Sequence, residues 1–430
     1  MQRIAVAAAS RSAASRASAS LRCSLPTSLE RAGRAFSTGA EDNAARERQQ
    51  GSTAEETSSS SDPWWFSGHS VATLHSAPTG QYFAVDPSAV PEAMAEFYED
   101  AYLKKERLTQ PNYGCKAVQR EFALTGHQIL LHRPAIAKVL DLAQSGRKPQ
   151  ISLEGWTGSG KSVALFSLVA WARANSWITL YVPSAFSMVK GGTFVRREDG
   201  LHDMPQGARY ILNATLRAHG DALGALRTRD GRRTLREVAA EGAASNDASV
   251  VVSAALALKD ELLALDDPGV KVLLAVDDYN ALYHRTEFGE AIHPLHRRLL
   301  RPEELRLAAG YRLLEQPAPR RGLTAAAPTH GAGLPADLAV PLPRRSRVHV
   351  PRFDLHEVQA LASYYGAADI LTCPPDDDAV ARGLFLSNGN ARELRRHAAL
   401  LLGPDDALGP SMGYKAKDGV RRRLQRGDEL

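Results

Sequence analysis

The sequence predicts an α/β fold in which helices cover a parallel β-sheet, and three observations support this prediction. A Gly-x-x-x-x-Gly-Lys-Ser pattern occupies residues 155–162, between a strand-like and a helix-like apolar segment. From about residue 112 onwards such segments alternate along the chain. A strongly apolar segment, VKVLLAVDD, ends in two acidic residues. Alternating strands and helices favour a parallel sheet.

The first 40 residues have the composition of a mitochondrial transit peptide. They contain six Arg and one acidic residue among many Ser and Ala, and they lack the continuous apolar segment of a secretory signal. The 430 residues carry a formal net charge of +5, all of which this leader supplies. We therefore predict a nearly neutral mature protein, in which any nucleic-acid contact uses local basic clusters.

Cysteine content and hydropathy point to a reducing compartment such as the mitochondrial matrix. Cys115 and Cys373 are the two cysteines beyond the leader, too few for a metal cage or a disulfide framework. No run of 18 apolar residues is present, so no transmembrane helix and no membrane partner are expected. The terminal GDEL lacks the first residue of a retention signal, and we interpret it as chance.

Residues 41–88 are predicted to form a disordered polar arm, because the segment that follows the leader is rich in Ser and has no apolar periodicity. Trp64, Trp65 and Phe66 could anchor this arm on a partner, or they could pack on the core of the chain itself. A helix is predicted next, over VPEAMAEFYEDAYLKKERL.

Residues 89–350 are predicted to form the main domain. A helix, KSVALFSLVAWARAN, follows the glycine-rich loop, and a helical insertion is expected at about residues 190–270. A small helical domain over residues 351–404 and a basic tail over residues 405–430 complete the chain. The five predicted strands are QISLEG, WITLYVPSA, VKVLLAVDD, RGLTAAAPTH and RVHVPRF.

The glycine-rich loop is predicted to bind phosphate. Glycines let the backbone come close to phosphate oxygens, and the helix that follows presents its positive N-terminus. Lys161 would contact the β- and γ-phosphates, and the Ser162 hydroxyl would bind Mg²⁺. The alternative is a plain glycine-rich turn. The predicted nucleotide-binding residues of this loop are Gly155, Thr157, Gly158, Ser159, Gly160, Lys161 and Ser162.

Two acidic residues end the VKVLLAVDD strand. Asp277 is placed to hold Mg²⁺ through water, although buried strands also end in Asp as a turn or cap. Asp278 is the candidate catalytic base that activates water, with a cap as the alternative. One strand intervenes in sequence between the loop and Asp277, which fits P-loop NTPases of the additional-strand or AAA+ type.

Two later residues are candidate sensors of a nucleotide. Thr329 follows the fourth predicted strand and could sense the γ-phosphate, or it could be a turn hydroxyl. Arg392 in GNARELRR resembles the second sensor arginine of an AAA+ lid, although exposed helical arginines are common. No Asn-Lys-x-Asp motif is present. The cofactor is therefore expected to be GTP or ATP, or the diphosphate, with Mg²⁺, and the base stays undetermined.

Other patterns are less specific. His293 and His296 in HPLH lack further ligands nearby in sequence and are interpreted as a solvent-facing pair. The basic runs RRSR and RRRLQR, at residues 344–347 and 421–426, could neutralise RNA phosphates or could simply be solvated surface.

Three blocks of the sequence resemble, in order, the death-associated protein three family of mitochondrial small-subunit ribosomal proteins. These blocks are EGWTGSGKSVALFSLVAWARANSWITLYVPSA, LLAVDDYNALYHRTEFGEAIHP with PEELRLA, and LFLSNGNARELRRHAALL. The resemblance spans roughly residues 125–402. It implies a component of the small-subunit head in the mitochondrial matrix, near the bridge to the large subunit. The implied partners are ribosomal RNA, neighbouring ribosomal proteins and the large subunit.

The resemblance also implies a purine nucleotide at residues 155–162, with GTP in the animal relatives, and a magnesium-side role for Asp277. In those relatives Gly follows this aspartate, whereas here Asp278 does. Two hypotheses follow. The nucleotide locks a structural protein in place, or the chain is an active NTPase switch, off the ribosome or in its assembly, with Asp278 as base and Arg392 as sensor.

Overall fold

The computed structural model describes residues 63–91, 116–190, 192–284, 286–293, 296–329, 344–368, 370–371 and 376–396. All elements below lie in the unit that begins at Trp64. The predicted transit peptide, the basic tail with RRRLQR, and nearly all of the helix predicted over residues 90–108 lie outside the described residues.

Twelve strands are found in the described residues. In chain order they are β1 (Phe66–Ser70), β2 (Tyr82–Ala84), β3 (Ile129–Leu131), β4 (Gln150–Glu154), β5 (Ile178–Val182), β6 (Val195–Arg196), β7 (His202–Asp203), β8 (Val272–Asp277), β9 (Gly289–His293), β10 (His296–Leu299), β11 (Gly322–Ala327) and β12 (Arg347–His349).

The same residues contain ten α-helices, with short 3-10 turns between several elements. They are α1 (Lys116–Thr125), α2 (Pro134–Ser145), α3 (Lys161–Ala174), α4 (Pro205–Ala225), α5 (Leu235–Ala244), α6 (Ala248–Ala264), α7 (Arg306–Gly310), α8 (Leu355–Ala367), α9 (Asp377–Ser387) and α10 (Ala391–Arg396).

The central sheet is fully parallel and has the order β12-β4-β11-β8-β5. β11 therefore lies between β4, which precedes the glycine-rich loop, and β8, which ends at Asp277. This is the additional-strand arrangement, and it confirms the predicted α/β P-loop fold class. The register pairs Ala327 with Asp277, so the carboxyl ends of both strands reach one edge of the sheet.

β8 shows why its sequence is a continuous apolar run. All six of its residues are buried, and successive side chains point to opposite faces. Leu274 and Val276 pack in a cluster with the insertion helices α4–α6, whereas Leu273 and Ala275 pack in a second cluster with α2 and α3. The sheet is thus covered on both faces, as the sequence predicted.

The helical insertion consists of α4, α5 and α6, within the predicted range of about 190–270. Thr234 starts α5 with a capping box, in which its side chain and Glu237 satisfy each other's backbone N–H groups. The short β6–β7 hairpin ahead of α4 was not predicted. Two-residue strands carry too few side chains for a period-two pattern to appear in the sequence.

The predicted extent of the disordered arm, residues 41–88, is wrong at its end. Residues 64–91 are ordered, and β1 and β2 form a three-stranded sheet with β3. Trp65 is buried against Tyr82 and Tyr364, so it packs on the chain's own core, while Trp64 stays half exposed. The Ser-rich composition ends near residue 62. Beyond residue 62, burial of apolar side chains such as Leu74 and Phe83 offsets the conformational entropy that the chain loses on folding.

The C-terminal helices α8, α9 and α10 lie within the predicted helical domain, which is described up to residue 396. Asp354 caps α8 in a capping box with Glu357, and Asp376 caps α9 through the Ala379 N–H. α9 ends at Ser387, and the next residue, Asn388, has a left-handed backbone. The linker before α8, residues 350–354, follows β12, which is an edge strand of the central sheet.

Gly322→Ala should strongly destabilise the fold. Gly322 starts the central strand β11 at φ 138°, and a Cβ atom there would overlap the Val272 carbonyl oxygen. We expect the free energy of unfolding to fall by about 3 kcal/mol, from backbone strain and overpacking. Gly224→Ala in α4 is the control, because its Cβ would make an ordinary 3.6 Å contact. Urea denaturation of both variants checks this, and equal stability of the two would contradict it.

Candidate functional site

The glycine-rich loop connects the end of β4 to the start of α3, a 14-residue helix. Gly158 and Gly160 have φ values of 80° and 95°, which residues with side chains rarely adopt. A glycine-rich backbone path of this kind, leading into a helix N-terminus, is typical of loops that bind anions through their N–H groups. The structure therefore gives the predicted phosphate-binding loop the required local geometry.

Lys161 is the first residue of α3, and its side chain is folded over the loop. Its Nζ donates hydrogen bonds to the carbonyl oxygens of Gly155 at 2.8 Å and Trp156 at 3.0 Å. Burial lowers the pKa of Lys161 to about 8, against the opposing effect of the nearby Asp277 and Asp278 carboxylates. The Lys161 ammonium is thus shielded from water, and an anionic ligand would stabilise its charge.

Ser162 and Asp277 meet although they are 115 positions apart in sequence. A hydrogen bond links the Ser162 side chain to the Asp277 carboxylate, which also accepts the Asp278 N–H at 2.9 Å. Asp277 is 2% exposed, and burial raises its pKa to about 6. A hydroxyl and a carboxylate beside a phosphate-binding loop are oxygen ligands that suit Mg²⁺. The two predicted metal residues are therefore brought together.

Asp278 lies beside Asp277 in a left-handed backbone conformation, with φ 54°. Its Oδ2 accepts a 2.6 Å hydrogen bond from Ser184 Oγ. Burial and the Asp277 charge raise the pKa of Asp278 well above its usual range. A general base must be ionised, so Asp278 could act as one only where a nearby cation offsets these effects.

Thr329 and Arg392 approach the same region from different elements. Thr329 follows β11, and its backbone N–H and C=O both hydrogen-bond the Asn280 side-chain amide, at 2.9 and 2.6 Å. Asn280 lies in the turn after Asp278. The charge of Arg392, at the start of α10, acts on both Lys161 and Asp278. The loop, the end of β8 and the start of α10 thus share one site.

Sequence reasoning missed Asn390, Arg133 and Glu357. Asn390 Nδ2 donates to the Thr157 carbonyl at 3.0 Å, and Arg133 Nη1 donates to the Ser159 carbonyl at 2.5 Å. Arg133 also pairs with Glu357 of α8. The Asn before a helix was recognisable as a cap, but no local pattern indicates contacts between residues more than 200 positions apart.

The less specific patterns lie on the surface. His293 and His296 are exposed on the β9–β10 hairpin, with ring centroids 6.1 Å apart. Within the described residues no group of three or more His, Cys, Asp or Glu side chains could hold a metal ion. Arg344 and Arg345 are exposed, whereas Arg347 pairs with Glu154.

No helix in the described part of the chain is long and apolar enough to cross a membrane.

Comparison with known proteins supports the resemblance inferred from the sequence. Residues 130–308 match the family described as Mitochondrial ribosomal death-associated protein 3, which confirms that resemblance. The matched range contains the glycine-rich loop and β8, and it ends before β11 and the C-terminal helices. No curated protein sequence matches the chain significantly.

Two solved structures are weakly similar to the chain. The structure of Drosophila ORC bound to DNA is 14% identical over 76% of this chain and 65% of that chain, with a TM-score of 0.34. Cdc6p from Pyrobaculum aerophilum is 13% identical over 72% of this chain and 71% of that chain, with a TM-score of 0.27. The strand order of the central sheet is the stronger indication of fold.

A phosphate-bearing ligand should bind less tightly above pH 8. Lys161 loses its proton near that pH, and a bound phosphate would stabilise the ammonium and raise its pKa. Binding just above pH 8 should therefore take up a proton, which calorimetry in buffers of different ionisation enthalpy measures. In the control Lys161→Arg the guanidinium stays charged, and this uptake should vanish. Identical proton uptake by both proteins would contradict the assignment.

Proposed function

We propose that this chain is a structural component of the small subunit of the mitochondrial ribosome that binds a purine nucleotide with Mg²⁺. The match of residues 130–308 to a mitochondrial ribosomal protein family carries the proposal. The geometry of the glycine-rich loop and of Asp277, both within that range, supports the nucleotide-binding part of the proposal. The chain would act in the matrix and support mitochondrial translation.

The nucleotide would be held mainly through its phosphates. Backbone amides of the loop, among them those of Gly158 and Gly160, would face the phosphates, and Lys161 would add a positive charge. Ser162 would bind Mg²⁺ directly and Asp277 would bind it through water, and the ion would neutralise phosphate charge. Thr329 and Arg392 would sense the γ-phosphate. The base is guanine or adenine, and the ligand is the triphosphate or the diphosphate.

The ribosomal partners would be small-subunit RNA, neighbouring ribosomal proteins and, across a bridge from the head, the large subunit. The exposed Arg344 and Arg345 are one local cluster that suits RNA phosphates. Because the chain beyond the predicted leader is nearly neutral, RNA contact would use such local clusters, and salt should weaken the association only partly. A bound nucleotide stabilises the folded chain by a free energy that grows with the logarithm of ligand concentration over Kd, so binding alone would suffice for this role.

Lys161→Ala should weaken nucleotide retention about tenfold to a hundredfold, since it removes a charge-assisted contact to phosphate. Less of the variant should therefore enter the small subunit. The measurement is sedimentation of a gently lysed mitochondrial extract, following the protein beside small-subunit RNA. Lys271→Ala is the control, because Lys271 directly precedes β8 and so lies at the end of this strand that is opposite to Asp277.

Two results would contradict this proposal separately. If the unmodified protein stays in the light fractions, it is not a ribosomal component. If Lys161→Ala loses nucleotide but enters the subunit normally, the nucleotide does not support the structure.

An active NTPase switch is the second candidate, and the placement of Asp278 favours it. This carboxyl is buried beside the magnesium position and is oriented by Ser184. Asp278→Asn should then abolish turnover while nucleotide binding persists. The assay is phosphate release by the isolated protein and by the assembled subunit. A lack of release from the unmodified protein in both forms would dispose of the switch.

A further inference from the structure

The outer side of the phosphate-binding loop is held by residues from distant parts of the chain. Asn390 Nδ2 donates to the Thr157 carbonyl at 3.0 Å, and the Ala391 N–H donates to the Gly158 carbonyl at 3.2 Å. Arg133 Nη1 donates to the Ser159 carbonyl at 2.5 Å. Three successive carbonyl groups are thus bound from outside, two by the start of α10 and one by the residue before α2.

Arg133 joins this outer side to the C-terminal helices. Its Nε and Nη2 donate to the two oxygens of Glu357 in α8, at 2.8 and 2.9 Å. Nη2 also donates to the carbonyls of Pro351 and Arg352, and the guanidinium lies 4.3 Å from the Phe353 ring centre. Because Arg133 and Glu357 are both more than 95% buried, neither charge has water as an alternative partner.

These carbonyl contacts determine where the loop amides point. In a planar trans peptide the C=O of one residue and the N–H of the next point in opposite directions. Holding the Thr157 carbonyl outward therefore turns the Gly158 N–H inward. Holding the Ser159 carbonyl likewise turns the Gly160 N–H inward, away from Arg133. A phosphate needs this arrangement of amides, and here side chains outside the loop stabilise it.

The loop glycines are also needed for these outer contacts. A Cβ atom on Gly158 would overlap the Asn390 side-chain amide, and one on Gly160 would lie 3.2 Å from Arg133 Nη1. Gly389, just before Asn390, would overlap the Phe353 carbonyl in the same way. The loop is therefore packed tightly against the side chains of Asn390 and Arg133, and the residue before Asn390 is packed against the linker backbone.

We propose that Asn390 and Arg133 are positioning residues that pre-organise the amides of the phosphate-binding loop, and so couple nucleotide binding to the docking of α8, α9 and α10. The proposal rests on the proposed nucleotide binding and deepens it. Coupling of this kind is reciprocal: a nucleotide that favours the ordered loop also favours docked helices. The helices in turn carry Arg392, whose charge acts on Lys161 and Asp278.

Asn390→Ser is the most selective test. Serine still caps α10 through its hydroxyl but lacks the Nδ2 donor to Thr157. The probes are fluorescent GDP and ADP with Mg²⁺, and affinity should fall about fivefold, as expected for one lost hydrogen bond. Amide hydrogen exchange over residues 355–396 is the second readout. Nucleotide should slow this exchange in the unmodified protein, and less so in the variant.

Phe385→Ser is the matched control, because Phe385 lies in α9 and is 82% exposed. Its affinity and exchange response should equal those of the unmodified protein. Arg133→Lys is the second variant: lysine keeps a positive charge near Glu357 but lacks the planar fork that also reaches Ser159. It should lower affinity and reduce the exchange response together.

The outcomes separate this proposal from the one on which it rests. If the unmodified protein binds neither probe, nucleotide binding itself is wrong and the coupling falls with it. If it binds a probe but exchange over residues 355–396 does not change, the coupling alone is overturned. The same holds if Asn390→Ser matches the unmodified protein in both affinity and exchange.

Discussion

The buried ion pair between Arg133 and Glu357 is the interaction on which the arrangement of the site depends. Taking two charges out of water is costly, and such a pair persists only where hydrogen bonds satisfy both groups. Arg133 meets this condition through Glu357, the Ser159 carbonyl and two carbonyls of the linker before α8. Moving the loop, the linker or α8 would leave a buried charge without partners, so these segments keep one relative position.

A second constraint is the charge around Asp277. Asp277 and Asp278 are adjacent, buried carboxyl groups, and burial raises the pKa of both. Lys161 is the positive group common to both, and its own pKa is lowered by burial. Two such carboxylates are both ionised at neutral pH only where more positive charge is present. A divalent cation supplies that charge, so the electrostatics agree with the proposed Mg²⁺ and with a hydroxyl ligand from Ser162.

The sequence predicted those parts of the fold that depend on local pattern. The glycine-rich loop, the long helix after it and the apolar strand ending at Asp277 each carry a signal within a few residues. The order of strands, with β11 between β4 and β8, depends on pairing between distant segments. Residues 64–91 were misjudged because their strands of three and five residues show little periodicity. Arg133 had no signal at all, since its partners lie 26 to 224 positions away.

The same contacts help to decide between two roles for a bound nucleotide: to stabilise one conformation, or to switch the protein between two. A switch needs two arrangements of similar free energy, so that hydrolysis can move one element against another. Here the C-terminal helices are joined to the loop by a buried charge pair and by glycines that allow close backbone approach. Separating them would expose the pair to water and break the hydrogen bonds to three loop carbonyls. The free-energy cost of this separation favours one docked arrangement. A bound nucleotide then adds stability to a single conformation, as a structural component of a large assembly requires.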